Sequence, residues 1–276
     1  MSTDFLARCR AIVGAAHVLA DADDMAPFLT DWRGRFTGKA IAVLRPAATA
    51  EVAGLVKACA EWRVPLVPQG GNTSMVGGAT PPADGSALVL SLRRMNRIRE
   101  ISPENNLAIA EAGVILADLH SAALDRGRRF PLTLGARGSA TIGGLVSTNA
   151  GGTQVLRFGT MRGLVAGIEA VLPDGSIYDG LAALKKDNRG YDLDQLLIGA
   201  EGTLGVITAA SLRLVPAICA RAVAWVGLAD PETALALLRR LEGATHTIES
   251  FEIVSGDSLA RVLAHIPGTR APLAGT

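Results

Sequence analysis

Charge of one sign is missing from this chain. Its 276 residues carry 27 Lys and Arg against 26 Asp and Glu, a formal net charge of +1. No basic footprint exists to neutralise a phosphate backbone, which excludes a general nucleic-acid binder. No long block of like charge marks a solvated tail. Cysteine is scarce: Cys9, Cys59 and Cys219 are far apart, odd in number and form no Cys-x-x-Cys. That argues against a disulfide or zinc scaffold and leaves three small buried apolar side chains in a reducing compartment. The four histidines, His17, His120, His246 and His265, form no His-Glu-x-x-His and read as packing or surface residues, so no metal is expected. Long apolar runs are also absent, and none approaches the roughly 18 residues that would span a bilayer. Residues 11–20 follow Arg8 and Arg10 and mimic a secretory signal, but Asp4 and His17 interrupt that pattern. The expected location is the cytoplasm, with peripheral attachment to the inner face of a membrane as its variant.

What is present is a globular composition, 49% hydrophobic and 19% charged, with 31 glycines. Glycine is therefore about 11% of the chain against an average of roughly 7%, and the excess is clustered. Along the chain, residues 1–24 read as a helix ending in the acidic run Asp21, Asp23 and Asp24, and 31–40 as a polar loop. Residues 41–44 predict a strand. Thr49 is a candidate N-cap with Glu51 in the first turn of a helix carrying Val52, Leu55, Val56 and Cys59. Residues 64–67 and 88–92 predict two more strands. A strand at 107–112, a helix from Ile115 to near Gly127, a hairpin turning at Pro173-Asp174-Gly175, and a long strand or two over 204–215 follow. From Arg221 the pattern predicts β-α-β-α: strands at 222–228 and 248–254, with helices after Asp230-Pro231 and over 259–265. Two strands make a poor independent sheet, so this last unit reads as incomplete.

Three glycine clusters carry the chemistry. The first, Pro68, Gln69, Gly70, Gly71, Asn72, Thr73, Ser74, then Gly77 and Gly78, directly follows a predicted strand. Paired glycines allow positive φ and close approach, and successive N–H groups form an anion-binding nest. The cluster contains neither a Walker A Gly-Lys-Ser/Thr nor Gly-x-Gly-x-x-Gly. It holds no basic residue, so dipoles rather than cations would hold a phosphate. The second runs from Gly135 to Thr153 and is dense in small hydroxyl and amide side chains; the third runs from Gly199 to Thr208. A tight loop needing glycine for its own sake explains any one of them. Three together suggest one ligand long enough to touch all three, and a dinucleotide fits that description.

Pro68-Gln-Gly-Gly-Asn-Thr, Gly138-Ser-Ala-Thr-Ile-Gly-Gly through Thr148-Asn-Ala-Gly-Gly, and Leu184-Lys-Lys-Asp-Asn-Arg-Gly-Tyr-Asp-Leu with Leu197-Ile-Gly-Ala-Glu-Gly-Thr-Leu-Gly-Val-Ile-Thr together resemble the FAD-linked oxidases of the vanillyl-alcohol-oxidase fold. The branch they resemble holds the D-lactate, D-2-hydroxyglutarate and glycolate dehydrogenases. The resemblance implies an α+β fold: a two-subdomain PCMH-type FAD-binding module followed by the start of a ferredoxin-like cap domain. The implied domains are an N-terminal helical segment at 1–40, the FAD-binding domain at 41–217 and a partial cap at 218–276. Gly70 to Thr73, Gly77 and Gly78 would hold the FAD pyrophosphate. Pro131, Leu132, Gly138, Ser139, Thr141, Gly143, Gly144, Asn149 and Gly152 would line the flavin and ribityl path. Glu201, Gly205 and Ile207 would hold the adenosine end or close the site beside it. Some relatives tether FAD through a His in the first loop; Asn72-Thr73-Ser74 has none, which implies non-covalent FAD. Ser74 and Arg189 stand where smaller residues are usual.

The implied reaction is hydride transfer from the α-carbon of a D-2-hydroxy acid to FAD, followed by delivery to an electron acceptor. It needs a base for the hydroxyl proton and a cation for the carboxylate. Arg137, Arg157, Arg162 and Arg189 are candidate cations, with surface or structural ion pairing as their alternative. The family's substrate half is expected to lie beyond residue 276 or on a partner chain. Two alternatives stay open: an FAD-binding subunit that is not itself an enzyme, and an NADPH-oxidising reductase of the same fold.

Overall fold

The computed structural model describes residues 3–182, 184, 186–188 and 190–273. The first part of the chain forms α1 (Thr3–Val13), β1 (Val18–Leu19), α2 (Ala22–Leu29), β2 (Val43–Leu44), α3 (Thr49–Trp62), β3 (Leu66–Gln69) and β4 (Leu88–Ser91). The strands line up in the order β1-β2-β4-β3, with β4 parallel to both β2 and β3 and β1 antiparallel to β2. Successive strand side chains point to opposite faces. Leu44, Leu88 and Leu90 therefore pack with Phe5, Cys9, Leu55 and Cys59 of α1 and α3. Val43 and Val89 turn the other way, onto Phe28 of α2.

Residues 1–24 do not form a single helix. Gly14, at φ +85°, breaks α1, and the chain pairs through β1 before Asp21 caps α2 by accepting from the Asp23 N–H at 3.0 Å. The acidic run opens a helix instead of closing one, which is where carboxylates favour the helix dipole. Thr49 is the first helical residue of α3, and Ala48 occupies the cap position without a side-chain bond. Glu51 reaches back to the Ala47 N–H at 2.7 Å, while the Thr49 hydroxyl donates to Glu169 at 2.6 Å.

The second part contains β5 (Ile98–Ser102), β6 (Leu107–Glu111), α4 (Leu116–Leu124), β7 (Arg128–Arg129), α5 (Ile142–Ser147), α6 (Val155–Phe158), α7 (Met161–Leu164), β8 (Val165–Val171), β9 (Ile177–Asp179), α8 (Asp194–Leu197), β10 (Val206–Arg213) and β11 (Val215–Pro216). An antiparallel sheet runs β5-β6-β10-β8-β9, with Ala210 of the central strand opposite Ala110 and Ile168. The predicted Pro173-Asp174-Gly175 turn joins β8 to β9, with Gly175 at φ +77° and the Asp174 carboxylate accepting from the Ser176 N–H at 2.8 Å. Leu116, Leu119, Phe130, Ile142, Met161, Ile168 and Leu212 fill the core between this sheet and its helices.

A carboxylate network ties the two parts together. Glu111 is 1% exposed and accepts from the backbone and guanidinium of Arg97 and from Arg99. Glu169 accepts from Arg99, Thr49 and Thr208. Burial raises both carboxyls, but the hydrogen bonds from Arg97 and Arg99 outweigh it for Glu111. Those from Arg99, Thr49 and Thr208 do so for Glu169, and both groups end below the ordinary glutamate value.

Beyond residue 217 the helices α9 (Pro231–Ala244) and α10 (Gly256–His265) form, and Asp230 caps α9 by accepting from the Thr233 N–H at 2.7 Å. The strands predicted at 222–228 and 248–254 do not form. A strand needs a partner for its N–H and C=O groups, and among the described residues none pairs with these stretches. Val223, Trp225, Val226, Ile253 and Val254 are exposed there, and so is Cys219, which was expected to be buried as Cys9 and Cys59 are, because no sheet forms over it. This part is pinned at Glu249, which takes ion pairs from Arg129 and Arg157, both stacked on Phe158.

Candidate functional site

The first glycine cluster leaves the C-terminal end of β3. Gln69 is buried, and its amide donates to Phe28 O at 2.9 Å and Ala79 O at 2.8 Å, closing the 70–79 loop at its base. A Cβ on Gly70 would overlap the Thr141 hydroxyl, and one on Gly71 would overlap Ser139 O. Glycine is thus required for the first cluster to lie directly against the second. Asn72 sits at φ +55° and donates through its amide to Thr30 O at 2.8 Å. The Arg93 guanidinium donates to the carbonyls of Gly70 and Gly71 at 3.2 and 3.3 Å. In a trans peptide the N–H points opposite to the C=O, so the N–H groups of Gly71 and Asn72 face away from Arg93. Those N–H groups, with those of Thr73 and Ser74, have no acceptor among the described residues. This is a backbone nest for an anion.

The second cluster supplies the facing wall. Ile142 and Gly143 spend their N–H groups on Val114 O and Ala112 O, at 2.9 and 2.8 Å. Among the described residues the Gly144 N–H has no acceptor and the buried Thr141 hydroxyl has no partner. A buried hydroxyl left unpaired costs stability, so Thr141 fits a ligand atom. The third cluster closes the far side. Glu201, at φ +53°, hangs from Ser147 O through its N–H at 2.9 Å, and its carboxylate lies 3.2 Å from where a Gly78 Cβ would sit.

Between the clusters lies a cavity of about 900 Å³, near the upper end of the ~300–1,000 Å³ range of ligand sites. Pro68, Gln69, Gly70, Gly71, Asn72, Thr73, Ser74, Gly78, Ser139, Thr141, Gly143, Gly144, Glu201, Gly205 and Ile207 all line it. Six other expected residues do not. Gly138 lines an adjoining cavity of about 260 Å³ with Arg93, Asn96 and Asp118. Pro131 and Leu132 are packed behind the wall, and Leu132 O bonds to His120 at 2.9 Å. Asn149 turns at φ +46° and accepts from the Arg162 N–H, Gly152 lies tight against Thr133, and Gly77 turns at φ +74° beside Phe36. Trp32 and Leu134 line the cavity from outside the three clusters, and Met75 and Gly151 line it from within them without having been named as site residues. Trp32 carried one weak signal, a lone Trp inside a polar loop.

Glu201 is the single ionisable side chain among the lining residues, which include no His, Cys or Tyr. The candidate cations are committed elsewhere or lie outside the lining. Arg162 donates to Gln195 and Ile198 O, Arg157 pairs with Glu249, and Arg137 does not line the cavity. Arg189, and with it the departure noted there, lies outside the described residues. The residues fit FAD in three respects: free N–H donors for a pyrophosphate, an unpaired hydroxyl, and glycines where a Cβ would close the cradle.

Comparison with known proteins bears on the family and the fold. Residues 40–180 match the family model described as FAD binding domain. Mitochondrial D-2-hydroxyglutarate dehydrogenase of Bos taurus is 40% identical over 96% of this chain and 48% of its own length. A D-2-hydroxyglutarate–pyruvate transhydrogenase of Saccharomyces cerevisiae is 36% identical over 99% of this chain and 55% of its own length. The chain thus spans about half the length of the relatives it matches. The solved structure of p-cresol methylhydroxylase with substrate bound superposes with a TM-score of 0.64 at 23% identity, covering 77% of this chain and 43% of the other, a likeness of fold. No helix among the described residues is long and apolar enough to cross a membrane.

Proposed function

Because the chain belongs to the FAD binding domain family, we propose that it is the FAD-binding part, residues 41–217 foremost, of a D-2-hydroxy-acid dehydrogenase. The observation that carries this is the 900 Å³ cavity walled by all three glycine clusters. FAD, when bound, supplies a two-electron hydride acceptor able to convert D-lactate, glycolate or D-2-hydroxyglutarate to the keto acid. The chain's own residues bind and orient it. The N–H groups of Gly71 to Ser74 take the pyrophosphate oxygens, and Thr141 and Gly144 donate along the path beyond. Non-covalent attachment is part of this proposal, supported by a first loop that reads Asn72-Thr73-Ser74 without a His. Residues 218–276 are proposed as the front of the cap, and the cytoplasm as the location.

A second reading has its own support. The cavity offers neither a cation for a substrate carboxylate nor a base besides Glu201, which suits an FAD-binding subunit completed by another polypeptide. One experiment separates the two. The purified chain is loaded with FAD, passed through gel filtration and read at 450 nm, then mixed anaerobically with each hydroxy acid. Retained flavin that one acid bleaches supports the dehydrogenase. Retained flavin that none bleaches supports the subunit. No retained flavin refutes both.

A further inference from the structure

The loop between α2 and β2 is a rigid mount. Asp31, 4% exposed, accepts from the N–H groups of Arg35 and Phe36 at 2.7 Å and of Arg33 at 3.2 Å. Its own N–H donates to Phe36 O at 3.0 Å, and the Gly34 N–H returns to Asp31 O at 2.9 Å. Thr30 and Thr37 bridge the base of the loop. The mount is also fastened to the first glycine cluster, since Phe28 O and Thr30 O accept from the Gln69 and Asn72 amides. What it presents is Trp32, 57% exposed and lining the cavity.

No other lining residue is aromatic. The remaining wall is glycine, small polar and aliphatic side chains, which satisfy a phosphate or ribityl chain but give a flat ring little to stack on. An indole is the side chain with the largest flat apolar surface, and leaving it half exposed forfeits burial that a stacked ring would restore. The Arg33 guanidinium lies over the indole at 5.1 Å from its centre, a contact that helps hold the ring in place.

We infer that Trp32 is the stacking wall for one flat heteroaromatic ring of the bound dinucleotide, presented by the Asp31-built loop. The inference rests on the FAD reading but makes a separate claim about a residue that carries no glycine signature. Its test is calorimetric titration of the full chain with FAD, FMN and ADP for wild type, Trp32→Leu and Trp32→Phe. The expectation is that Trp32→Leu weakens FAD about ten-fold while Trp32→Phe, which keeps a ring, recovers most of that. The half-ligand weakened alongside FAD, FMN or ADP, names the ring. Thermal midpoints should stay together, because Trp32 is exposed. If a variant fails to fold, flavin emission of the bound wild type settles whether the isoalloxazine touches Trp32: contact with an indole dims it several-fold against free FMN, and the adenine assignment then rests on ADP dimming the Trp emission of a Trp62→Phe, Trp225→Phe protein. FAD binding equal in wild type and Trp32→Leu overturns the stacking role alone. Wild type that binds no FAD overturns the reading beneath it as well.

Discussion

Gly143 offers a sharp test of the cradle. It sits in the first turn of α5, and a Cβ there would lie 2.6 Å from the Ala112 Cβ and 3.1 Å from the Ala112 Cα and O. Carbon atoms prefer about 3.5–4.0 Å, so Gly143→Ala must push α5 away from the end of β6 by about 1 Å. Overpacking of this kind costs about 1–3 kcal/mol. The 2.8 Å bond from the Gly143 N–H to Ala112 O stretches with it, and the Thr141 hydroxyl and Gly144 N–H move with the helix. If the strain falls on the bound geometry, FAD affinity drops by roughly 5- to 150-fold. If it falls on the fold, the melting midpoint drops by about 2–4 °C per kcal/mol. Flavin fluorescence titration and thermal melts read the two separately. Ala112→Gly removes the opposing methyl, so the double variant should recover part of the loss, a coupling of about 0.5–3 kcal/mol. Gly138→Ala is the control, since nothing lies within 4 Å of its Cβ position. Unchanged affinity and midpoint in Gly143→Ala, or a double variant no better than the sum of the singles, would refute the close-approach argument.

Three further outcomes are expected. Thr141→Val removes a hydroxyl that has no partner among the described residues, so stability should hold within about 0.5 kcal/mol while FAD affinity falls about ten-fold; equal affinity shows that the hydroxyl meets no ligand. Glu111 and Glu169 are held below the ordinary glutamate value. Their stabilisation is therefore fully present above roughly pH 4.3 and is lost as pH falls through the lower folded values. Urea midpoints should be level in this respect from pH 7 to 5 and decline below, and Glu111→Gln should flatten that decline. Glu249→Gln replaces the carboxylate that Arg129 and Arg157 share. Limited proteolysis should then cut residues 245–255 faster, with the melting midpoint of the preceding part unchanged; an unchanged digestion pattern removes Glu249 from the role of anchor.

The amino-acid sequence by itself determined the local grammar. A short apolar run wrote β4, and its Leu88 and Leu90 face one layer and Val89 the other. Asp230-Pro231 wrote the start of α9, and Pro173-Asp174-Gly175 wrote a hairpin. The glycine clusters announced a long ligand because their spacing is a property of the chain alone. Tertiary structure decided everything that depends on a neighbour. Gly14 and the pairing of β1 with β2 split the predicted N-terminal helix, and stretches 222–228 and 248–254, patterned as strands, stayed unpaired for want of a partner. Thr49, a cap by sequence, went to Glu169 across the seam instead. Gly138 and Asn149 belong to the same cluster as Ser139 and Thr141, yet only the latter pair line the main cavity. Trp32 reached that cavity because Asp31 folds its loop back onto the first cluster. Periodicity and turn chemistry act over a few residues and are legible in one dimension. Which wall a residue faces is set by contacts between segments far apart in the chain, and only the folded molecule holds those.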